Sequence, residues 1–186
     1  AAKYLIDVRG IDPGIEPWPA DLRFHPQCPF KGQMHPAMIA LFRDIHTGQP
    51  CGIHRTALKP DGSGKAFDDA KAMLGRSRDA AIMLDAFDTV ELGIAVCEGI
   101  ESALSARYSP KLWLRPMWAC GSVGAIRKFP VLPGVETISV FADGDATGRG
   151  AARALCQRYE IAGLDFDLYE PESDKADANT ILRGAA

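Results

Sequence analysis

A chain of 186 residues, 47% hydrophobic and 24% charged, is long enough for one ordinary domain or two small ones and has the composition of a soluble globular protein. Its longest apolar runs are far too short to span a bilayer, and it opens with no charged n-region and apolar h-region; a membrane span and a secretory leader are therefore not expected. The net charge of −3 conceals an asymmetry: residues 23–78 carry nine Lys and Arg against four Asp and Glu, while residues 91–186 carry ten against thirteen, a division suited to a phosphate-bearing ligand held near an acidic metal site.

Five scattered cysteines, odd in number, read as reduced thiols and hence as a cytoplasmic protein. The chain starts at Ala1 rather than at Met, and is expected to be a processed or excised piece of something longer.

Residues 1–21 read as a helix and a linker: a short amphipathic helix ended by Gly10, then a connector whose three prolines cannot continue it. Residues 22–90 form the basic, β-rich module. Within it Met38–Arg43 and Pro50–Leu58 flank a turn at Asp44–Gly48, as a hairpin would. Pro60–Gly64 is a second turn leading into a charged, mobile stretch to Ala70, and Ala81–Leu84 is another strand. From residue 91 the texture changes. Ile94–Cys97 is a buried strand that stops at Glu98-Gly99, and Ile100–Tyr108 follows as a helix ended by Pro110. Met117–Cys120 and Thr137–Ala142 are further strands, Ala152, Leu155, Cys156 and Tyr159 fall at helical spacing, and Asp165–Tyr169 is a last strand. Strands and helices alternating at this interval predict an α/β fold for residues 91–186, a parallel sheet with flanking helices and right-handed crossovers.

Ligand sites in open α/β sheets lie beyond the carboxyl ends of the strands. Glu98 ends one such strand and Asp143 and Asp145 end another, so parallel neighbours would bring three carboxylates to one edge. Oxygen ligands, few in number and leaving positions for water and phosphate, suit Mg²⁺. The competing reading makes Glu98 or Asp145 a helix cap or first-turn acid. Two local look-alikes fail on context. The DGDAT loop resembles the nucleophile loop of haloacid-dehalogenase phosphatases, but too little chain follows for that family's later motifs. An EF-hand starting at Asp143 would need Glu where Ala154 stands. Zinc ligation by the pairs His25/Cys28 and Cys51/His54 is disfavoured, because Cys51 and His54 point to opposite faces of a strand and the prolines around His25 favour a turn.

Glu98-Gly99 together with Asp143-x-Asp145-x-x-Gly148 resembles the two defining motifs of the Toprim domain. The wider stretches VCEGIESALSA and VFADGDATGRGAARAL look most like Toprim modules of primase or primase–helicase proteins from plasmids, phages and other mobile elements. Upstream, YLIDVRGI, LRFHPQC, HPAMIALFRD, GIHRTAL and KAMLG resemble the segment that precedes Toprim in those proteins, so the likeness covers nearly the whole chain.

The resemblance implies a Toprim-like parallel sheet over residues 91–186, preceded by a small β-rich α+β module. It implies Glu98 as metal ligand or general base, Asp143 and Asp145 as ligands of Mg²⁺ or Mn²⁺, and Asp177 in a third acidic patch. That patch is only partly matched, since Thr180 stands where a second acid is common; separately, Ser102 stands where replicative primases carry an acid four residues after the Glu, although Glu101 is adjacent. His54, Arg55, Lys65, Lys71 and Arg149 become candidate contacts to nucleotide or nucleic-acid phosphates. Trp18, Trp113 and Trp118 read as core or connector packing before base stacking. The implied function is RNA-primer synthesis on single-stranded DNA from ribonucleoside triphosphates, with a replicative helicase as a possible partner. The alternatives are a Toprim nuclease and a non-catalytic DNA-binding or recruitment module.

Overall fold

The computed structural model describes residues 1–109 and 114–171. Nine strands among them form one sheet: β1 (Leu22–Phe30), β2 (Gln33–Asp44), β3 (Pro50–Ala57), β4 (Lys71–Gly75), β5 (Ala80–Met83), β6 (Gly93–Cys97), β7 (Met117–Ala119), β8 (Thr137–Phe141) and β9 (Asp165–Tyr169). Three helices accompany them: α1 (Ile100–Tyr108), α2 (Val123–Lys128) and α3 (Ala146–Ile161). The spatial order is β4-β3-β2-β5-β7-β6-β8-β9, with β1 paired to β2. β6, β7, β8 and β9 are mutually parallel, and β1 to β5 join antiparallel. The expected α/β architecture, a parallel sheet with flanking helices preceded by a β-rich module, is the one observed. β5 pairs β2 on one side and β7 on the other, so the sheet runs unbroken from the basic module into the parallel half.

The central strands β6 and β7 are apolar throughout, and β8 breaks the pattern only at half-buried Thr137 and Ser139, because both faces of the sheet are covered, as parallel sheets require. Alternate residues part to the two sides. Ala95 and Cys97 of β6 pack with Met117, Ala119, Phe141 and the α1 residues Ile100, Ala103 and Leu104. Ile94 and Val96 pack with Trp118, Ile138, Val140 and the α3 residues Ala151, Ala152, Leu155 and Tyr159. On α3 the buried positions recur every three or four residues, giving one apolar stripe. α1 is buried almost all round. It has the β-rich module against it as well as the sheet beneath.

The N-terminal helix is present as a single π-helical turn, Tyr4–Val8, with Arg9 N–H donating to the Tyr4 carbonyl (3.1 Å); Gly10 ends it at φ 66°. Two expectations change. The segment around His25 is strand rather than turn. A bulge between His25 and Cys28 absorbs Pro26, and the strand pairs on one side with β2, so the missing proline donors cost no ladder bond. The stretch before Ala70 is tied down rather than loose: Ala66 N–H donates to the Ala57 carbonyl (3.0 Å) and Ala57 N–H to the Ala70 carbonyl (2.8 Å). β4 follows directly. Among the described residues no helix is long and apolar enough to cross a membrane.

Candidate active site at the strand tips

β6 and β8 are parallel neighbours with Cys97 opposite Phe141. Glu98 therefore leaves the sheet beside the turn Asp143-Gly144-Asp145. Glu98 and Asp143 are half-buried and Asp145 is exposed, so the corner is open to solvent. Asp145 caps α3, its Oδ1 accepting from Gly148 N–H at 2.7 Å, so the capping role weighed in the sequence is real and occupies one carboxylate oxygen. Arg149 Nε donates to the Gly144 carbonyl at 2.9 Å and braces the turn from the helix.

The acids sense one another. Burial, reinforced by the charges of Asp143 and Asp145, raises Glu98 from an ordinary 4.5 to about 7, against the opposing pull of Lys71 and of the Val123 N–H. Among the described residues no group of three or more His, Cys, Asp or Glu side chains is gathered closely enough to hold a metal ion as it stands. The corner is an open, mutually repelling set of hard oxygens. That donor chemistry fits Mg²⁺ or Mn²⁺, which keep several waters and take one or two carboxylates.

The sign of the resulting pH dependence follows from the raised carboxyl. The stabilisation it gives is complete below pH ~4.5 and is lost as the pH climbs through about 7, where the folded protein must also ionise. The full displacement corresponds to ~3 kcal/mol, which solvent screening of this half-exposed group reduces to about 1–2 kcal/mol. Glu98→Gln, a mimic of the protonated form, is expected to raise the metal-free melting temperature by about 3–6 °C at pH 8 and by nothing at pH 4.5. Thermal scans across that interval check it.

Gly148 allows α3 to start so close to the turn. A Cβ there would stand 2.8 Å from the Asp143 carbonyl oxygen and 3.2 Å from Asp143 Cβ. The obstruction is backbone and cannot swing aside. Gly148→Ala is expected to lose about 1–2 kcal/mol net, because the clash exceeds the gain of ~1 kcal/mol in helix propensity. Denaturant unfolding measures the loss, and Mg²⁺ titration should show weakened binding through the displaced Asp143.

Facing this corner from the basic module is a second cluster. Glu101, in the first turn of α1, is buried with a side chain only 4% exposed. It accepts a hydrogen bond from the Tyr4 hydroxyl (3.1 Å) and pairs with Lys65 Nζ (3.4 Å) and Lys71 Nζ (3.3 Å). Burial pushes its carboxyl up, but Lys71 and Lys65 outweigh it and hold it at about 2. His54 lies in the same surroundings. Burial, with Lys71 and Lys65 adding to it and Glu101 opposing, lowers it to about 4, so at neutral pH it carries no charge for a phosphate. Its Nδ1 and the Thr56 Oγ1 are buried with no hydrogen-bond partner among the described residues.

Of the candidate phosphate contacts, Lys65, Lys71 and His54 thus gather around Glu101. Arg55 faces the other way, donating to the Pro29 carbonyl (2.7 Å) and lying over the Phe30 ring. Arg149 belongs to the acid corner. Asp177, with Lys175, Asn179 and Thr180, lies outside the described residues, as does Trp113. Trp118 is fully buried, and Trp18 is half-buried edge-on to Tyr108. Cys51 and His54 lie on β3 as read, with the Cys51 thiol directed to the Phe42 and Arg76 carbonyls. Glu101 is the residue that sequence reasoning passed over. Only its apolar neighbours hinted at it: Ile100, Ala103, Leu104 and Ala106 surround a carboxylate that shares its helix face with Ser102 and Ser105.

Residues 93–186 match the model of the Toprim domain family, and residues 1–84 match that of a domain of unknown function (DUF7146). No curated protein matches the chain. Among solved structures, the chain is similar to the primase fragment of the bacteriophage T7 primase-helicase protein, at 17% identity and a TM-score of 0.59, over 97% of this chain and 65% of that one. It is similar to the Aquifex aeolicus primase (zinc-binding and RNA polymerase domains), at 17% identity and a TM-score of 0.61, over 99% and 52%. A DNA primase domain from Pseudomonas aeruginosa matches at 15% identity and a TM-score of 0.55, over 88% and 52%. The chain thus spans between about half and two thirds of the length of these structures, and at such identities the likeness is one of fold.

Proposed function

The chain belongs to the Toprim family, and from that premise we propose that it is the metal-dependent catalytic core of a primase, joining ribonucleotides into RNA primers on single-stranded DNA. The observation that carries the reading is the placement of Glu98 beside Asp143 and Asp145 at the tips of adjacent parallel strands, where burial first, and then the two aspartate charges, raise Glu98 to about 7. Like charges assembled at such cost, in a corner open to solvent, call for a counter-ion.

Asp143 and the free oxygen of Asp145 would hold Mg²⁺ or Mn²⁺, with Glu98 as ligand or general base and Asp177 as a further candidate ligand. The bound ion supplies neutralisation of triphosphate charge in a displacement that depends on positioning and electrostatics. Lys65 and Lys71 draw the triphosphate to the site, and Arg55 contributes to the template side. Glu98, once ionised, takes the proton of the attacking 3′-hydroxyl on its carboxylate. Within a replication protein of a plasmid, phage or other mobile element, a replicative helicase would deliver the template.

Incubation with single-stranded DNA, labelled ribonucleoside triphosphates and Mn²⁺ tests this. New oligomers of ribonucleotide are expected. A shortened template would instead make the protein a Toprim nuclease, and a bound but unchanged template a recruitment module.

A further inference from the structure

The acid corner does not account for Glu101, a carboxylate buried on purpose beside it. A single buried charge is retained only if it is compensated, and the compensation comes from far along the chain: Tyr4 from the N-terminal turn, Lys65 from the loop after β3, and Lys71 from the first position of β4. Both lysines keep part of their side chains in solvent, 32% and 44% exposed. Each ammonium has three donors, so a contact to Glu101 leaves others directed outward. Lys71 also acts on Glu98 electrostatically and so stands between the two glutamates.

We propose that Glu101 is a positioning residue: it fixes Lys65 and Lys71 at the margin of the acid corner so that their outward N–H groups meet the phosphates of an incoming nucleoside triphosphate. This deepens the primase reading and rests on it. Two lysines, with Arg9 acting in the same sense, outweigh one carboxylate and leave the cluster net positive, and the pair is pinned by a helix that begins two residues after Glu98. Protein kinases use a comparable device, in which a helix glutamate holds a strand lysine toward ATP phosphates. Without an anchor, two four-carbon side chains sample many rotamers and bring their charge to the triphosphate without a fixed geometry.

The test compares wild type, Glu101→Gln and Glu101→Asp in two assays, with melting temperatures recorded on the same samples. In template-directed synthesis, Glu101→Gln is expected to lower kcat by at least ~10-fold while nucleotide KM stays constant or falls, because positive charge is freed but not placed; Glu101→Asp recovers most of the rate. In the second assay, acylation by N-hydroxysuccinimidyl acetate is mapped by mass spectrometry with and without Mg²⁺–ATP. ATP is expected to shield Lys65 and Lys71 in wild type and to fail in Glu101→Gln. Unchanged kcat with unchanged shielding overturns the proposal, as does a rate loss that follows only the loss of folded protein. Shielding that depends on Glu101 without any primer synthesis upholds the proposal and removes the primase reading. Synthesis indifferent to Glu101 does the reverse.

Discussion

Asp143→Asn is expected to keep the melting temperature of the parent protein and to lose metal-dependent nucleotide joining by at least ~10²-fold. The two halves of that expectation have separate causes. Asn fills the same space at the end of β8, and the close approach that seats the turn on α3 is made through the Asp143 backbone and Cβ, which the substitution leaves in place. The change also removes one of the charges that, after burial itself, raises Glu98, which offsets any small loss of packing at the turn. A hard cation, by contrast, loses an anionic oxygen for which an amide is a poor substitute. Calorimetry and the primer assay on the same preparation decide it. Synthesis persisting in the variant would take Asp143 out of the site, and a melting temperature lowered by many degrees would make it a structural acid.

Trp118→Ala is expected to remove about 3–5 kcal/mol, a large part of the 5–15 kcal/mol that holds a domain of this size folded. Trp118 sits at the middle of β7 with no exposure. Its ring stacks on Phe87 at 6.2 Å and meets Phe129 edge-on at 6.4 Å, while Nε1 donates to the Asp85 carbonyl at 3.1 Å. Truncation empties the space between β7 and α2 and orphans that carbonyl. The melting temperature should fall by roughly 8–15 °C. Base preference of any surviving activity should be untouched, because the indole reaches no solvent. A variant of near-native stability with altered nucleotide dependence would return Trp118 to the candidate base platforms.

Where the sequence was legible, burial wrote it. β6 is a run without a charged residue and β8 a β-branched and aromatic one, and each is followed closely by an acid and a glycine. The α3 stripe repeats at helical spacing, and so the strand tips carrying Glu98, Asp143 and Asp145 could be read off directly. β4 was hidden for the opposite reason: four of its five residues are exposed, and its pairing with β3 rather than any pattern of its own makes it a strand. β1 was disguised by Pro26 and Pro29, which a single-sided pairing and a bulge accommodate. Glu101 escaped because its meaning is tertiary. An acid in the first turn of a helix already has a local explanation in the helix dipole, and the partners that change its role lie 30 and 97 residues away. His54 illustrates the same limit, since a basic module makes every histidine look cationic until its burial is known.

The placement of β5 also governs how the protein can be dissected. Division after residue 90 would carry away Ala80–Met83, strip β7 of its neighbour and leave backbone donors and acceptors facing water along its raw edge. The same cut would part Lys65 and Lys71 from Glu101, stranding a carboxylate in α1 with no counter-charge. Fragments made at that boundary would therefore be prone to self-association, and they would report on the damage done by the cut before they reported on what either half does alone.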